Sequence, residues 1–202
     1  MFSKIVLATR NPGKVREFQK LFDGFPVTVV PESDFNVASP VESGTTFVEN
    51  AIIKARNAAR HTGLPALADD SGIAVDCLNG QPGVYSSRYA GENATDAANL
   101  DKLLAEVSRF PEQERTARYW CILAFMRHAE DPTPVICQAY WKGRIILEKR
   151  GQNGFGYDPS FLIPVLGQTA AELDPEVKNR LSHRGQALAR LREALREICA
   201  GE

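Results

Sequence analysis

The chain has 202 residues, 44% hydrophobic and 24% charged, and its 24 basic and 25 acidic side chains leave a formal net charge of −1. That composition excludes a disordered or fibrous chain, and the near-zero charge argues against capture of nucleic acid by the field of the whole molecule. No apolar run reaches the roughly 20 residues of a membrane helix, and residues 1–10 hold too short an apolar run for a signal-peptide core, so the expectation is a soluble, cytoplasmic protein.

Residues 4–9 read as a short buried strand. Asn11 followed by Pro12 marks a helix start, a cap with proline at the first helical position. Val15, Phe18, Leu21 and Phe22 recur at helical spacing until Gly24 stops the pattern. Residues 26–31 form a second strand candidate, and a polar stretch then reaches Gly44. Thr46 and Glu49 stand at capping-box spacing; Phe47, Ala51, Ile52, Ala55 and Ala59 line one face of the helix they open, and Gly63 is placed to end it. Residues 64–69 and 73–78 read as two strands joined through Asp70, Ser71 and Gly72, and residues 79–83 carry turn chemistry.

Thr95 caps a helix whose apolar face is Ala98, Leu100, Leu103, Leu104 and Val107. Residues 117–126 and 135–141 read as paired strands about a turn at 131–134. A Gly-rich segment at 151–156 precedes Tyr157, Asp158 and the apolar run 161–163. Asp174 and Pro175 repeat the cap-then-proline signal, and a final helix over 182–199 shows Leu188, Leu191, Leu195 and Ile198 on one face. Helices are interleaved with strand pairs whose turns are too short for a parallel crossover, which indicates an α/β fold with a mixed sheet, in two lobes around that sheet. Cys77, Cys121, Cys137 and Cys199 form no C-x-x-C pair, so neither a zinc nor a disulfide framework is expected. Cys121 and Cys137 lie in apolar runs and read as small buried hydrophobes.

Four clusters carry chemistry. Thr9, Arg10, Asn11, Pro12, Gly13 and Lys14 form a strand-to-helix turn, whose unpaired amides and helix dipole make an anion cradle. It is not a Walker loop, and no G-x-G-x-x-G occurs. The plainer account is an Asn cap and a solvated lysine. Asp69 and Asp70 follow an apolar strand, where two carboxylates need a cation or donors to compensate them. Successive side chains of an extended chain face opposite ways, so one of the two is expected to enter a given site, where it can hold Mg²⁺. An Asp-Ser-Gly turn is the plainer account.

Glu42 lies in the polar loop, Glu49 has a ready explanation in the capping box, and Lys54 reads either as a phosphate contact or as part of a solvated helix face. The last cluster joins Phe155, Gly156, Tyr157 and Asp158 to Lys178, Ser182, His183 and Arg184. An aromatic flanked by glycine permits base stacking, Arg184 can donate to a ring carbonyl, and Asp158 can accept from a ring N–H. Phosphate cations, a carboxylate pair and a flat-ring platform together suggest a nucleoside polyphosphate with magnesium.

The ordered pieces are residues 9–14, 47–51 with Lys54, 68–72, 82–88, 154–158 and 182–184, spanning nearly the whole chain. In that order they resemble the inosine/xanthosine triphosphate pyrophosphatase family (dITP/XTP pyrophosphatase, non-standard purine NTP pyrophosphatase). The resemblance implies a single two-lobed domain over residues 1–202. Its fold would be an elongated mixed β-sheet with flanking helices around a central substrate cleft. It also implies a homodimer with no stable nucleic-acid partner and no membrane association. The implied reaction is the Mg²⁺-dependent hydrolysis of ITP, dITP and XTP to the monophosphate and pyrophosphate, which removes them from the nucleotide pool before they enter DNA or RNA.

By the same resemblance Asp70 is the catalytic carboxylate and a metal ligand, with Glu42 as second ligand and Glu49 competing for that place. Thr9, Arg10, Asn11, Pro12, Gly13, Lys14, Lys54, Ser71, Phe155, Gly156, Tyr157, Asp158, Lys178, His183 and Arg184 bind substrate. Arg10 stands where the family often carries glycine. Donors aimed at the purine 6-position would accept a carbonyl and reject adenine's amino group. Two other readings exist: a pyrophosphatase for pyrimidine or modified nucleotides, and a nucleic-acid-binding module. The second draws on six Lys/Arg against three Glu in residues 175–199, an excess that a solvated basic helix face also explains.

Overall fold

Ile5, Val6 and Leu7 are fully buried along β1 (Lys4–Leu7), the two-sided burial required of a parallel strand with a neighbour on each edge. The structure, a computed structural model, describes residues 3–9, 12–22, 24 and 27–200, with the backbone alone at 12, 16, 17, 20, 21, 199 and 200. The chain divides into two compact units. One holds Met1–Asp70, Ile122–Gln138 and Ala187–Glu202; the other holds Ser71–Cys121 and Ala139–Gln186.

In the first unit β1 runs parallel to β2 (Thr28–Pro31), from Lys4 opposite Thr28 to Leu7 opposite Pro31. On its other edge it runs parallel to the start of β3 (Ala66–Val75), with Val6 opposite Ala66. Helix α1 (Pro12–Leu21) connects β1 to β2 and packs on β2, with Phe18 fully buried. Helix α2 (Phe47–Thr62) packs on β1 through Ala51, Ala55, Ala58 and Ala59, small residues that let it lie close. It opens on the expected Thr46–Glu49 capping box and ends at Gly63, in the left-handed conformation.

In the second unit α3 (Asp96–Val107), capped by Thr95, buries Leu100, Leu103 and Val107 in a core with Ile73, Tyr119, Trp141 and Phe161. Each such large apolar side chain contributes about 1.5–3 kcal/mol relative to exposure. Beyond β4 (Thr116–Met126) and β5 (Val135–Ile145), β6 (Phe161–Ile163) pairs antiparallel with β5 and with β7 (Gln168–Thr169). Helix α4 (Pro175–Leu181) is capped by Asp174, whose carboxylate accepts from the Glu176 and Val177 amides, and α5 (His183–Ala200) follows. The strands lie in the order β2-β1-β3-β4-β5-β6-β7, parallel at β2-β1-β3 and antiparallel at β5-β6-β7, so the sheet is mixed as expected. Among the described residues no helix is long and apolar enough to cross a membrane. Cys121 and Cys137 are buried, as their apolar runs imply.

Five elements differ from the sequence expectation. The two strands placed at 64–69 and 73–78 are one strand, β3, which passes through Asp69-Asp70-Ser71-Gly72 without turning and gives way to a 3₁₀ turn at Asp76–Leu78. Lysine partners neutralise both carboxylates, so the chain has no electrostatic reason to break there. Strand β5 continues four residues past Trp141, because buried Gly143 and Ile145 extend the alternation of Cys137, Ala139 and Trp141. Ser182 stands outside α5 as the residue between α4 and α5: its amide donates to the Lys178 carbonyl at 2.8 Å and its Oγ accepts from Gly185 N at 3.2 Å. Strands β1 and β2 are also shorter than residues 4–9 and 26–31. Asn11, the expected cap, and Pro26 lie outside the described residues.

Candidate functional site

Strand β3 carries Asp69 and Asp70 side by side, and both are buried. Their side chains take different partners, as opposite faces of a strand require. Lys14, in the first turn of α1, pairs with Asp69 Oδ1. Lys54, halfway along α2, donates from Nζ to Asp70 Oδ1 at 2.7 Å and lies 3.3 Å from Glu42 Oε1. Lys54 therefore bridges the polar loop to the strand, and the solvated-helix-face account of this residue is corrected: its side chain is 15% exposed. Asp70 Oδ2 is buried and has no hydrogen-bond partner.

Among the described residues, three carboxylates and two ammonium groups thus meet in the first unit. Burial pushes the Asp70 carboxyl above its usual range; Lys54 opposes the shift, and Glu42 and Asp69 add to it. Burial disfavours the Lys54 ammonium, but Asp70, Asp69 and Glu42 outweigh it and raise the lysine's pKa. Glu49 is occupied elsewhere. Its carboxylate accepts from the amides of Thr45 and Thr46 at 2.9 Å and from both hydroxyls, which holds it below the usual carboxylate range. Asn50, fully buried on α2, accepts from Gly44 N at 2.8 Å and ties down the loop that carries Glu42.

A second cluster lies wholly in the second unit. Asp158 is buried; its Oδ2 accepts from Phe155 N at 2.8 Å and from Lys178 Nζ, and its Oδ1 accepts from the Tyr119 hydroxyl at 3.2 Å. These use three of the roughly four lone-pair positions of a carboxylate and help fold the turn. Lys178 Nζ lies 5.1 Å from the centre of the Phe155 ring, which is 60% exposed. Gly156 N donates to Asp96 Oδ2 at 2.9 Å, and the Tyr157 hydroxyl to the Ser86 carbonyl at 2.7 Å, so the turn that presents Phe155 is tethered to α3 and to the 3₁₀ turn Gly83–Arg88. His183 and Arg184, the first residues of α5, are buried, and the His183 ring stacks on Tyr119 at 4.9 Å and 10°.

In the first unit, then, Lys14, Glu42, Lys54 and Asp70 are drawn to neighbouring carboxylate–lysine pairs. Phe155, Gly156, Tyr157, Asp158, Lys178, His183 and Arg184 share the aromatic turn and helix start of the second. Thr9 follows β1 and Gly13 opens α1 beside Lys14; Ser71 is the strand residue after Asp70. Arg10 and Asn11 lie outside the described residues, as does the side chain of Pro12.

Sequence reasoning missed four supporting residues: Asp69 as the partner of Lys14, Tyr119, Gly154 and Gly185. A Cβ at Gly154, where φ is +81°, would collide with Asp158 Oδ2 and sit 2.8 Å from Lys178 Nζ. One at Gly185 would collide with the Asn179 carbonyl oxygen. Gly154 opens the quoted motif 154–158 and Gly185 directly follows 182–184, which was the available signal; Tyr119, in a strand far along the chain from its partners, offered none.

Comparison with known proteins is consistent across sequence and structure. A model of the Ham1 family matches residues 5–194. A dITP/XTP pyrophosphatase of Vibrio parahaemolyticus is 58% identical over 188 residues, covering 93% of this chain and 94% of that protein. The structure of a HAM1 protein from Coxiella burnetii superposes with a TM-score of 0.94 at 51% identity, covering 98% of this chain and all of that one. A crystal structure of a nucleoside-triphosphatase, dITP/XTP pyrophosphatase, from Mycobacterium abscessus gives 0.80 at 45% identity over 93% of this chain and 98% of its own.

Proposed function

The chain belongs to the Ham1 family, and from that premise we propose that it hydrolyses dITP, ITP and XTP to the monophosphate and pyrophosphate with Mg²⁺, removing deaminated purines from the nucleotide pool before they reach DNA or RNA. The observation that carries the reading is the cluster of Lys14, Asp69, Asp70, Lys54 and Glu42, with Asp70 Oδ2 buried and unpartnered.

The donor set fits magnesium. No group of three or more His, Cys, Asp or Glu side chains that could cage a metal occurs among the described residues. Mg²⁺ is held by one or two carboxylates and completes its shell with water and phosphate. Asp70 through Oδ2 and Glu42 are the residues we assign to hold it, because Glu49 already commits Oε2 to four capping bonds. When bound there, the ion supplies charge neutralisation for the polyphosphate and makes a water more acidic.

The protein's own groups do the rest. Lys14 and Lys54 donate to phosphate oxygens, lowering the repulsion that the triphosphate offers an incoming nucleophile. Asp70 orients the water and takes its proton as the general base. The water oxygen bonds to the α-phosphorus, the bridging bond to the β-phosphate breaks, and pyrophosphate leaves. Phe155 offers a stacking face to the base, and His183 and Arg184 are donors for a 6-carbonyl, against which adenine's amino group is mismatched. The same reading carries a homodimer that acts in the cytoplasm without a stable nucleic-acid partner.

The test is pyrophosphate release from ITP and ATP, with and without Mg²⁺, for the wild type and Asp70→Asn. The expected result is Mg²⁺-dependent release that favours ITP over ATP, with Asp70→Asn slowed by more than about tenfold, roughly 1.4 kcal/mol of barrier. Turnover of that variant within tenfold of wild type removes Asp70 as the key carboxylate.

A further inference from the structure

Tyr119 on β4 is buried and touches both segments that carry the second unit's binding residues. Its ring lies parallel to the His183 imidazole, 4.9 Å away and tilted by 10°, at the start of α5. Its hydroxyl donates to Asp158 Oδ1 at 3.2 Å, and the other oxygen of that carboxylate holds the Phe155 amide and Lys178. From behind, the ring meets Phe161 at 4.5 Å and 53°, which fixes it against the core. One rigid side chain is therefore the common support of the stacking residue and of the Ser182–Arg184 turn. A core tyrosine needs one partner for its hydroxyl, but it needs neither a carboxylate that organises a turn nor an imidazole on its face.

Resting on the function proposed above, we propose that Tyr119 is a positioning residue for base recognition: it holds His183 and the Phe155–Asp158 turn at the spacing that distinguishes a 6-oxopurine from a 6-aminopurine. Burial, with Asp158 beside it, keeps the hydroxyl protonated far into the alkaline range, so it remains a donor at every working pH. The carboxylate it meets is then tethered on one side by a neutral donor and on the other by an ammonium. Loss of the hydroxyl frees Asp158 to turn towards Lys178 and lets the Phe155 amide drift with it. Loss of the ring removes the surface against which His183 lies flat.

Two variants separate these contacts: Tyr119→Phe keeps the stack and deletes the hydrogen bond, and Tyr119→Leu deletes both. Steady-state pyrophosphate release is measured from ITP and ATP, per folded enzyme, with thermal unfolding as the control for folding. For Tyr119→Phe the expected result is a KM for ITP raised about tenfold with kcat within about threefold, and an ITP-over-ATP preference reduced about tenfold, the loss of one charged hydrogen bond from the binding geometry. Tyr119→Leu shifts both quantities further in the same direction. A purely structural tyrosine lowers the unfolding temperature and leaves KM and preference within about twofold of wild type, and that outcome in Tyr119→Phe overturns the inference even if Tyr119→Leu does not fold. Wild-type protein that releases no pyrophosphate from ITP overturns the functional reading and this inference with it; an active wild type with unshifted Tyr119→Phe overturns this inference alone.

Discussion

Glu42 and Glu49 are seven positions apart, and both are acidic residues near the start of α2; their hydrogen bonds give them different work. Glu49 closes the helix terminus with every capping contact it has, and Glu42 reaches Lys54 beside Asp70. Substituting Glu42→Gln removes one charged oxygen from the proposed metal site and is expected to raise the Mg²⁺ concentration for half-maximal rate by about tenfold or more. Glu49→Gln keeps an acceptor at the cap and leaves that concentration within about twofold. A magnesium titration of the two variants decides the matter, and the reverse ranking would transfer the role to Glu49. At this scale the sequence named Asp70, Lys14 and Lys54 through their motifs, but not their pairing. Lys14 and Asp69 are 55 positions apart, and Lys54 and Asp70 are 16 apart, so no local pattern carries the contact. It exists only once β1, β3, α1 and α2 are packed.

Helix starts were readable because their determinants are local: Thr46, Thr95 and Asp174 each cap the helix their spacing announces. Strand limits were not, since neighbours decide them. Strand β3 continues through two carboxylates because lysines from two helices reach them, and β5 continues through Lys142-Gly143-Arg144 because β6 lies alongside, where a Cβ on Gly143 would meet the Leu162 carbonyl at 2.7 Å. The α4–α5 junction yields a test in which the sign of the effect is informative. Inside an exposed helix, glycine to alanine stabilises by up to about 1 kcal/mol. At Gly185 the added methyl runs into the Asn179 carbonyl in the last turn of α4, the helix that also carries Lys178. Gly185→Ala is therefore expected to destabilise by about 1–3 kcal/mol, the usual cost of overpacking, and to raise KM for ITP. Calorimetric unfolding with initial rates checks both. A more stable variant with unchanged KM shows that the two helices have room to separate.

For the whole molecule, acid stability is set in part at the corner between β4 and β5. Asp131 is buried there and accepts from Arg127 N, Nε and Nη2 and from Thr133 N at 2.8–3.0 Å. Hydrogen bonds from the Arg127 guanidinium hold its carboxyl well below the usual carboxylate range. A carboxylate with a depressed folded-state pKa contributes stability above its unfolded value of about 3.9 and loses it as the pH falls towards the folded one. Arg127 is half-exposed, so solvent screening limits the contribution to about 1 kcal/mol. Asp131→Asn should unfold at a lower temperature at pH 7, and the gap from wild type should close below about pH 4; a gap of equal size at pH 7 and pH 3 excludes this account.

A chain with 24 basic and 25 acidic side chains exerts little pull on a distant polyanion, so recruitment depends on what is arranged at short range. Among the described residues the first unit's cluster has one more carboxylate than ammonium groups, so on the proposed reading it favours a nucleotide that arrives with a cation. Adding a doubly charged ion reverses the sign. On the proposed reading the enzyme therefore admits the cation-complexed form of its substrate and turns away the uncomplexed one, a gate that works by counting charges and needs no moving part.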